Sequence, residues 1–231
     1  MLHAAETAAL MLSLKVGIVS VLGILPVAFA LAYLLARRDF YGRTLVDVLV
    51  HLPLVVPPVV TGYVLLLAFG AQGPLGHWLQ SHLGITLIFR WTGAALASAI
   101  MALPLMVRAI RLSLEAIDPR YSDAARTLGA SPLHVFFTIT LPLAFPGIIA
   151  GLVLGFAKSV GEFGATITFV SNIPGQTQTL PLAIYSGLQI PGGEASVWRL
   201  ALLSVALSAG ALLASEYLAR RARGGRQAHV L

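Results

Sequence analysis

Five apolar runs decide what this chain can fold into: residues 11–36, 48–69, 92–109, 145–170 and 199–217. Each is long enough to cross about 30 Å of hydrocarbon as a helix rising about 1.5 Å per residue. Inside a bilayer every backbone N–H and C=O needs a partner within the protein, which leaves helices and closed barrels as the only spanning structures. The runs lack the in–out alternation of barrel strands. The sequence therefore predicts an all-α integral membrane protein, a bundle of about five transmembrane helices. Composition agrees, since charged residues are 10% of the chain and mean hydropathy is +0.88, against about 25% charged in soluble domains.

The basic residues set an orientation. Arg37, Arg38 and Arg43 fall in one connection, Arg108, Arg111, Arg120 and Arg126 around the central one, and Arg220, Arg221, Arg223 and Arg226 at the end of the chain. With five crossings, eleven of the fifteen Lys and Arg residues share one side. By the positive-inside rule that side is cytoplasmic, so the N-terminus is expected outside and the C-terminus inside. Trp78, Trp91 and Trp198 then lie on or beside the outer connections, as interfacial anchors do. The first run is too long for a signal-peptide core and is expected to be retained. A net charge of +6 distributed in this way is a membrane signature and gives no sign of nucleic-acid binding.

Proline punctuates several runs. Pro26 interrupts the first and predicts a kink, and Pro104 lies in the third. In the second, Pro53, Pro57 and Pro58 break the backbone within six residues, with Thr61 and Gly62 just beyond. Irregular backbone at membrane depth is tolerated where protein or a water-filled cavity meets the freed groups. Pro57, Pro58 and Thr61 are accordingly candidates for a translocation path or gate, the plainer reading being a kink that shapes packing. In the fourth run Gly147, Gly151 and Gly155 stand four apart, a close-packing seam within the subunit or between two subunits. Deeper in that run Lys158 and Glu162 are spaced to pair with each other. A lysine and a carboxylate in a membrane helix are costly and need partners or water. They are either a structural pair or residues beside the path, Lys158 attracting an anion and Glu162 holding the helix.

The most carefully punctuated stretch is polar. Over 118–142, Asp118 can cap a short helix with Pro119 at its first position, Gly129 suits the left-handed residue that ends it, and Ser131 and Pro132 repeat the start signal. Tyr121, Ala124, Ala125 and Leu128 form one narrow seam of mostly small apolar groups, while Arg120, Asp123 and Thr127 point elsewhere. Such a seam suits docking into a partner's groove, and spacing alone equally allows a loop helix lying on the membrane.

The run Asp123, Ala124, Ala125, Gly129, then Ile139, Leu141 and Pro142 resembles the EAA loop of ABC-importer permeases, with Asp123 where that family usually has Glu. Gly161 to Ala165 is similar to a run in the oxyanion branch of these permeases. His51 to Pro58 and Thr168 to Gly175 look closest to the molybdate type, and the likeness extends over about residues 13–217. This resemblance implies that Asp123, Ala124, Ala125, Leu128, Gly129, Ala130 and Ser131 couple to an ATPase. It implies a homodimer of permease subunits, two cytoplasmic ABC ATPase subunits and an extracytoplasmic oxyanion-binding protein, in a bacterial inner membrane. Residues 1–219 would form the permease domain and 220–231 a short basic tail.

Other chemistry is thinly supported. No GxxxxGK[ST] pattern is present, so ATP and Mg are expected on the partner ATPase, and this chain is expected to bind no cofactor and to be no enzyme. His77 and His82 are five apart with no third ligand, which argues against a metal site. His51 reads as an interfacial polar contact. A sulfate or thiosulfate permease is the nearest alternative, and an ion-coupled secondary transporter using Glu162, Lys158 and His51 the next. The latter would be favoured by internal repeats, of which the sequence shows none.

Overall fold

A computed structural model describes residues 3–227, and every regular element among them is a helix. The first apolar run becomes α1 (Ala4–Arg37), whose start is fixed by Glu6 reaching back to accept the His3 N–H at 2.9 Å. Pro26 lies inside α1, which continues on both sides of it. The second run becomes α2 (Arg43–Val55) and α3 (Pro58–Phe69), which meet at 113°. A short helix, α4 (Pro74–Leu83), follows in a stretch the sequence reading left as loop. Its signals are visible afterwards: Gly73 before Pro74 at the start, and Gly84 at φ 65° at the stop.

α5 (Trp91–Glu115) is the central post and is mostly buried. One core cluster joins its C-terminal half (Ala102, Met106, Val107 and Ile110) to Ala28, Ala32 and Leu35 of α1. A second joins Ala94, Ala97 and Met101 to Leu65 of α3 and to Phe169. α5 extends six residues past the expected boundary at 109. Its polar end is secured by Arg111, which donates to Glu115 at 2.7 Å and to Asp47 of α2 at 3.2 Å.

Beyond α5 come α6 (Pro119–Thr127), α7 (Pro132–Val135), a π turn at Phe136–Thr140, and α8 (Leu141–Val160). From Pro132 to Val160 this is one 29-residue span candidate. The fourth crossing thus begins at Pro132, not at 145. Pro142 has no N–H to give, and the wide turn before it absorbs the misfit, with the Leu141 N–H reaching the carbonyl of Phe136. The expected run to Val170 is also interrupted. α8 stops at Val160 and α9 (Gly164–Val170) resumes after three residues.

The glycine seam packs within the subunit. A Cβ on Gly147 would overlap that of Ser113, one on Gly155 would stand 2.8 Å from Met106 Cγ, and one on Gly93 would meet Val170. α8 and α9 therefore run antiparallel along α5 for its whole length. α10 (Leu180–Leu188) and α11 (Glu194–Gln227) complete the chain. α11 passes residue 219 without interruption, so no structural break marks the expected start of the tail, and residues 228–231 of that tail lie outside the described residues. Among the described residues, four helices are long and apolar enough to cross a membrane, giving five spans if the bent α2–α3 pair counts as one.

The bundle has two distinct ends. At one, the α1–α2 connection, the Asp47–Arg111 contact and α6 lie together. At the other, Glu6 meets Ser196 at 2.6 Å and Arg199 at 2.7 Å, Lys15 sits 3.6 Å over the Trp91 ring, and the Leu180 N–H donates to Ser13 Oγ at 2.7 Å.

Candidate functional site: a docking helix and two broken spans

The capping residues of α6 and α7 act as their chemistry requires. Asp118 accepts the Arg120 N–H at 2.9 Å, Gly129 takes φ 86°, and Ser131 accepts the His134 N–H at 3.3 Å. The result is a short helix on the outside of the bundle with no buried residue. Tyr121 is 59% exposed and Leu128 89% exposed, with Ala124 open between them. Ala125 is half-buried, so three of the four seam residues are exposed, Tyr121 also edging a cavity it shares with Arg108 and Leu112 of α5. An exposed apolar seam on a capped helix is the kind of surface that a partner protein or a membrane can cover. Asp123 is on the other side of α6, lining a groove with Arg37, Arg38 and Arg126. Ala130 is half-buried and Ser131 exposed beyond the turn.

The two interruptions of the membrane helices are neighbours in space. A Cβ on Gly164 would stand 2.8 Å from that of Pro58, and one on Gly62 would stand 2.6 Å from the carbonyl oxygen of Ala165. The start of α3 thus lies directly on the start of α9. Thr61 is half-buried beside this contact, while Pro57 and Pro58 are exposed.

Lys158 and Glu162 form the pair their spacing suggests, Nζ donating to Oε2 at 2.8 Å. The setting differs from the expectation of a continuous helix. Lys158 is in the last turn of α8 and Glu162 in the break itself. The Glu162 side chain is 1% exposed and its other oxygen accepts the Ala165 N–H at 3.0 Å, so it satisfies a donor that the break has freed. Lys158 is 29% exposed and reaches out of the core. Next to it, Phe163 packs on Tyr185 of α10 with ring centres 5.2 Å apart. The sequence reading missed that link and the Asp47–Arg111 pair, since neither partner is near the other in the chain.

His51 meets Asp47, with Nδ1 2.9 Å from its carbonyl oxygen. His82 stacks on Trp78 at 5.2 Å between ring centres. No group of three or more His, Cys, Asp or Glu that could hold a metal ion occurs among the described residues.

The profile of the binding-protein-dependent transport system inner membrane component family matches residues 24–224. The chain belongs to that family. This permease is 57% identical over 216 residues to the molybdenum transport system permease protein of Haemophilus influenzae, covering 94% of each chain. It is 56% identical over 223 residues to the corresponding protein of Escherichia coli K12, covering 96% of this chain and 97% of that one. Its fold is similar to that in the crystal structure of a bacterial alginate ABC transporter in complex with an alginate pentasaccharide-bound periplasmic protein. That likeness has a TM-score of 0.74 and 19% identity, and covers 95% of this chain and 80% of the other.

Proposed function

We infer that this permease is the membrane-embedded subunit of an ATP-driven importer of molybdate, with tungstate as the related oxyanion. The observation that carries the substrate is the identity with the molybdenum permeases over nearly the whole chain. The end of the bundle bearing α6 and the arginine-rich connections is the cytoplasmic one, and the N-terminus lies outside, in a bacterial inner membrane. The bent pair α2–α3 supports a count of five spans: Asp47, near its start, meets the inner end of α5, and Leu65, near its finish, meets Ala94 and Ala97 at the outer end.

Two copies of the permease enclose the path, each presenting one α6 to one ATPase subunit, while a soluble oxyanion-binding protein docks on the outer face. The exposed seam Tyr121, Ala124 and Leu128 is the contact that couples them, with Asp123, Ala125, Gly129, Ala130 and Ser131 fixing its shape. ATP and Mg act on the ATPase subunits. When these close, α6 moves, and α7–α8 carries the motion toward the junction of the two breaks, where Pro57, Pro58, Thr61, Lys158 and Glu162 border the path. Access then alternates between the two sides.

The test is uptake of molybdate into proteoliposomes holding the permease, its ATPase and its binding protein. ATP-dependent uptake is expected, with sulfate competing weakly. Leu128→Glu should reduce uptake to background and release the ATPase on purification, and Gly129→Val should weaken coupling because its φ of 86° excludes a β-branched residue. Normal ATP-driven uptake by both variants overturns the coupling role. Uptake driven by an ion gradient without any ATPase overturns the importer reading.

A further inference from the structure

Beneath α6, on the side turned away from the docking seam, lies a groove of about 460 Å³ bordered by Tyr33, Arg37, Arg38, Asp123, Arg126 and Phe136. Helical geometry separates it from the seam. At about 100° per residue, Pro119, Ser122, Asp123 and Arg126 share one side of α6, and Tyr121, Ala124 and Leu128 share the opposite one. A partner seated on the seam leaves the groove uncovered.

Its charge is uncompensated. Arg37, Arg38 and Arg126 make no ion pair or side-chain hydrogen bond among the described residues, and neither does Asp123. Three guanidinium groups against one carboxylate leave two positive charges in excess. Nη2 of Arg37 is shut off from solvent and meets no acceptor. A buried guanidinium nitrogen without an acceptor is costly, and its cost is relieved by an anion in the groove.

Depth and lining identify the kind of anion. From Lys15, seated on the Trp91 ring at the opposite end of the bundle, to Arg37 the helix α1 advances about 33 Å at about 1.5 Å per residue, against about 30 Å of hydrocarbon. Its last turn, with Arg37, therefore stands at headgroup level. Below the arginines the wall is aromatic, Tyr33 and Phe136 meeting edge to face at 5.7 Å between centres and Phe29 joining at 5.9 Å. Phe137 (60% exposed) and Leu133 (72% exposed) continue an apolar surface beside it. Charge above and aromatic surface below match a molecule with a phosphate head and acyl tails.

We propose that this groove binds the phosphate group of an anionic phospholipid, placing a lipid between the end of α1 and the rear of the docking helix. The bound phosphate bridges Arg37 and Arg38 of one element to Arg126 of the other. It thereby ties α6 to α1 without occupying the surface needed by a partner.

The experiment is native mass spectrometry of the intact permease in mild detergent, titrated with phosphatidylglycerol and separately with phosphatidylcholine. A basic residue near an anionic surface contributes about 1 kcal/mol, so Arg37→Gln/Arg38→Gln should bind phosphatidylglycerol about thirtyfold more weakly. Arg37→Lys/Arg38→Lys should retain most of the binding, showing that the fold survives substitution there. Lys15→Gln, at the opposite end, should be unchanged. Equal retention by the glutamine variant overturns the proposal. So does displacement by millimolar inorganic phosphate, which marks a free-anion site, or expulsion of the lipid when the ATPase assembles, which assigns the groove to a partner carboxylate. The readout is binding rather than uptake, so its failure is distinct from failure of the importer reading.

Discussion

Between α2 and α3 the chain turns through 113°, whereas between α8 and α9 it crosses Gly161, Glu162 and Phe163 and continues along α5. Both interruptions must find partners for backbone donors at membrane depth. The first removes donors: Pro57 and Pro58 carry no N–H, and the N–H groups of Val60 and Thr61 reach the Pro57 carbonyl at 2.9 and 3.3 Å. The second supplies an acceptor, the Glu162 carboxylate on the Ala165 N–H, and neutralises it with Lys158. A break made by deleting donors leaves no charge to be neutralised by a neighbour. A break made by a buried charge depends on its counter-ion, so the two differ in what holds them although they touch at Pro58 and Gly164.

The contrast is broken most severely by spoiling the track that keeps α8 and α9 in line. Gly147→Val sets a branched side chain into Ser113 and should destabilise the permease by about 3 kcal/mol, read as a lowered unfolding midpoint in detergent. Next, Glu162→Ala strands both Lys158 and the Ala165 N–H. With Lys158 partly solvated the expected loss is about 2 kcal/mol. Lys158→Met/Glu162→Gln should recover most of it, because the amide oxygen still serves Ala165 and no charge is left alone. A double variant as unstable as Glu162→Ala would show that the charge itself is required. The smallest effect belongs to the proline break. Pro57→Ala/Pro58→Ala should change stability by less than about 1 kcal/mol while altering the α2–α3 angle. Spin labels at positions 48 and 67 should report a distance shift and a broader distribution, and an unchanged distance would mean that neighbours, not prolines, set the bend.

How far these features could be read in advance depended on whether their cause was local. The caps at Asp118 and Ser131, the turn at Gly129 and the Lys158–Glu162 pair were legible because each partner is within four residues. The glycine seam was legible as a packing surface, though only the fold shows that α5 fills it. The helix start at Pro132 was obscured by Pro142, which reads as an entrance until the π turn before it is known. The contact between the two breaks joins residues over a hundred positions apart, and no periodicity announces it. The same distance hid the Asp47–Arg111 pair and the aromatic wall behind α6, although the arginines above that wall were counted for topology.

The clasp between Glu6 and Ser196 with Arg199 joins residues 190 and 193 positions apart. During synthesis the buried carboxylate of the first helix is made early and its guanidinium almost last. Until then, beyond the local His3 N–H, water and lipid headgroups at the end of the helix are its only partners. The contact between the first and last helices can therefore form only after residue 199 has been made.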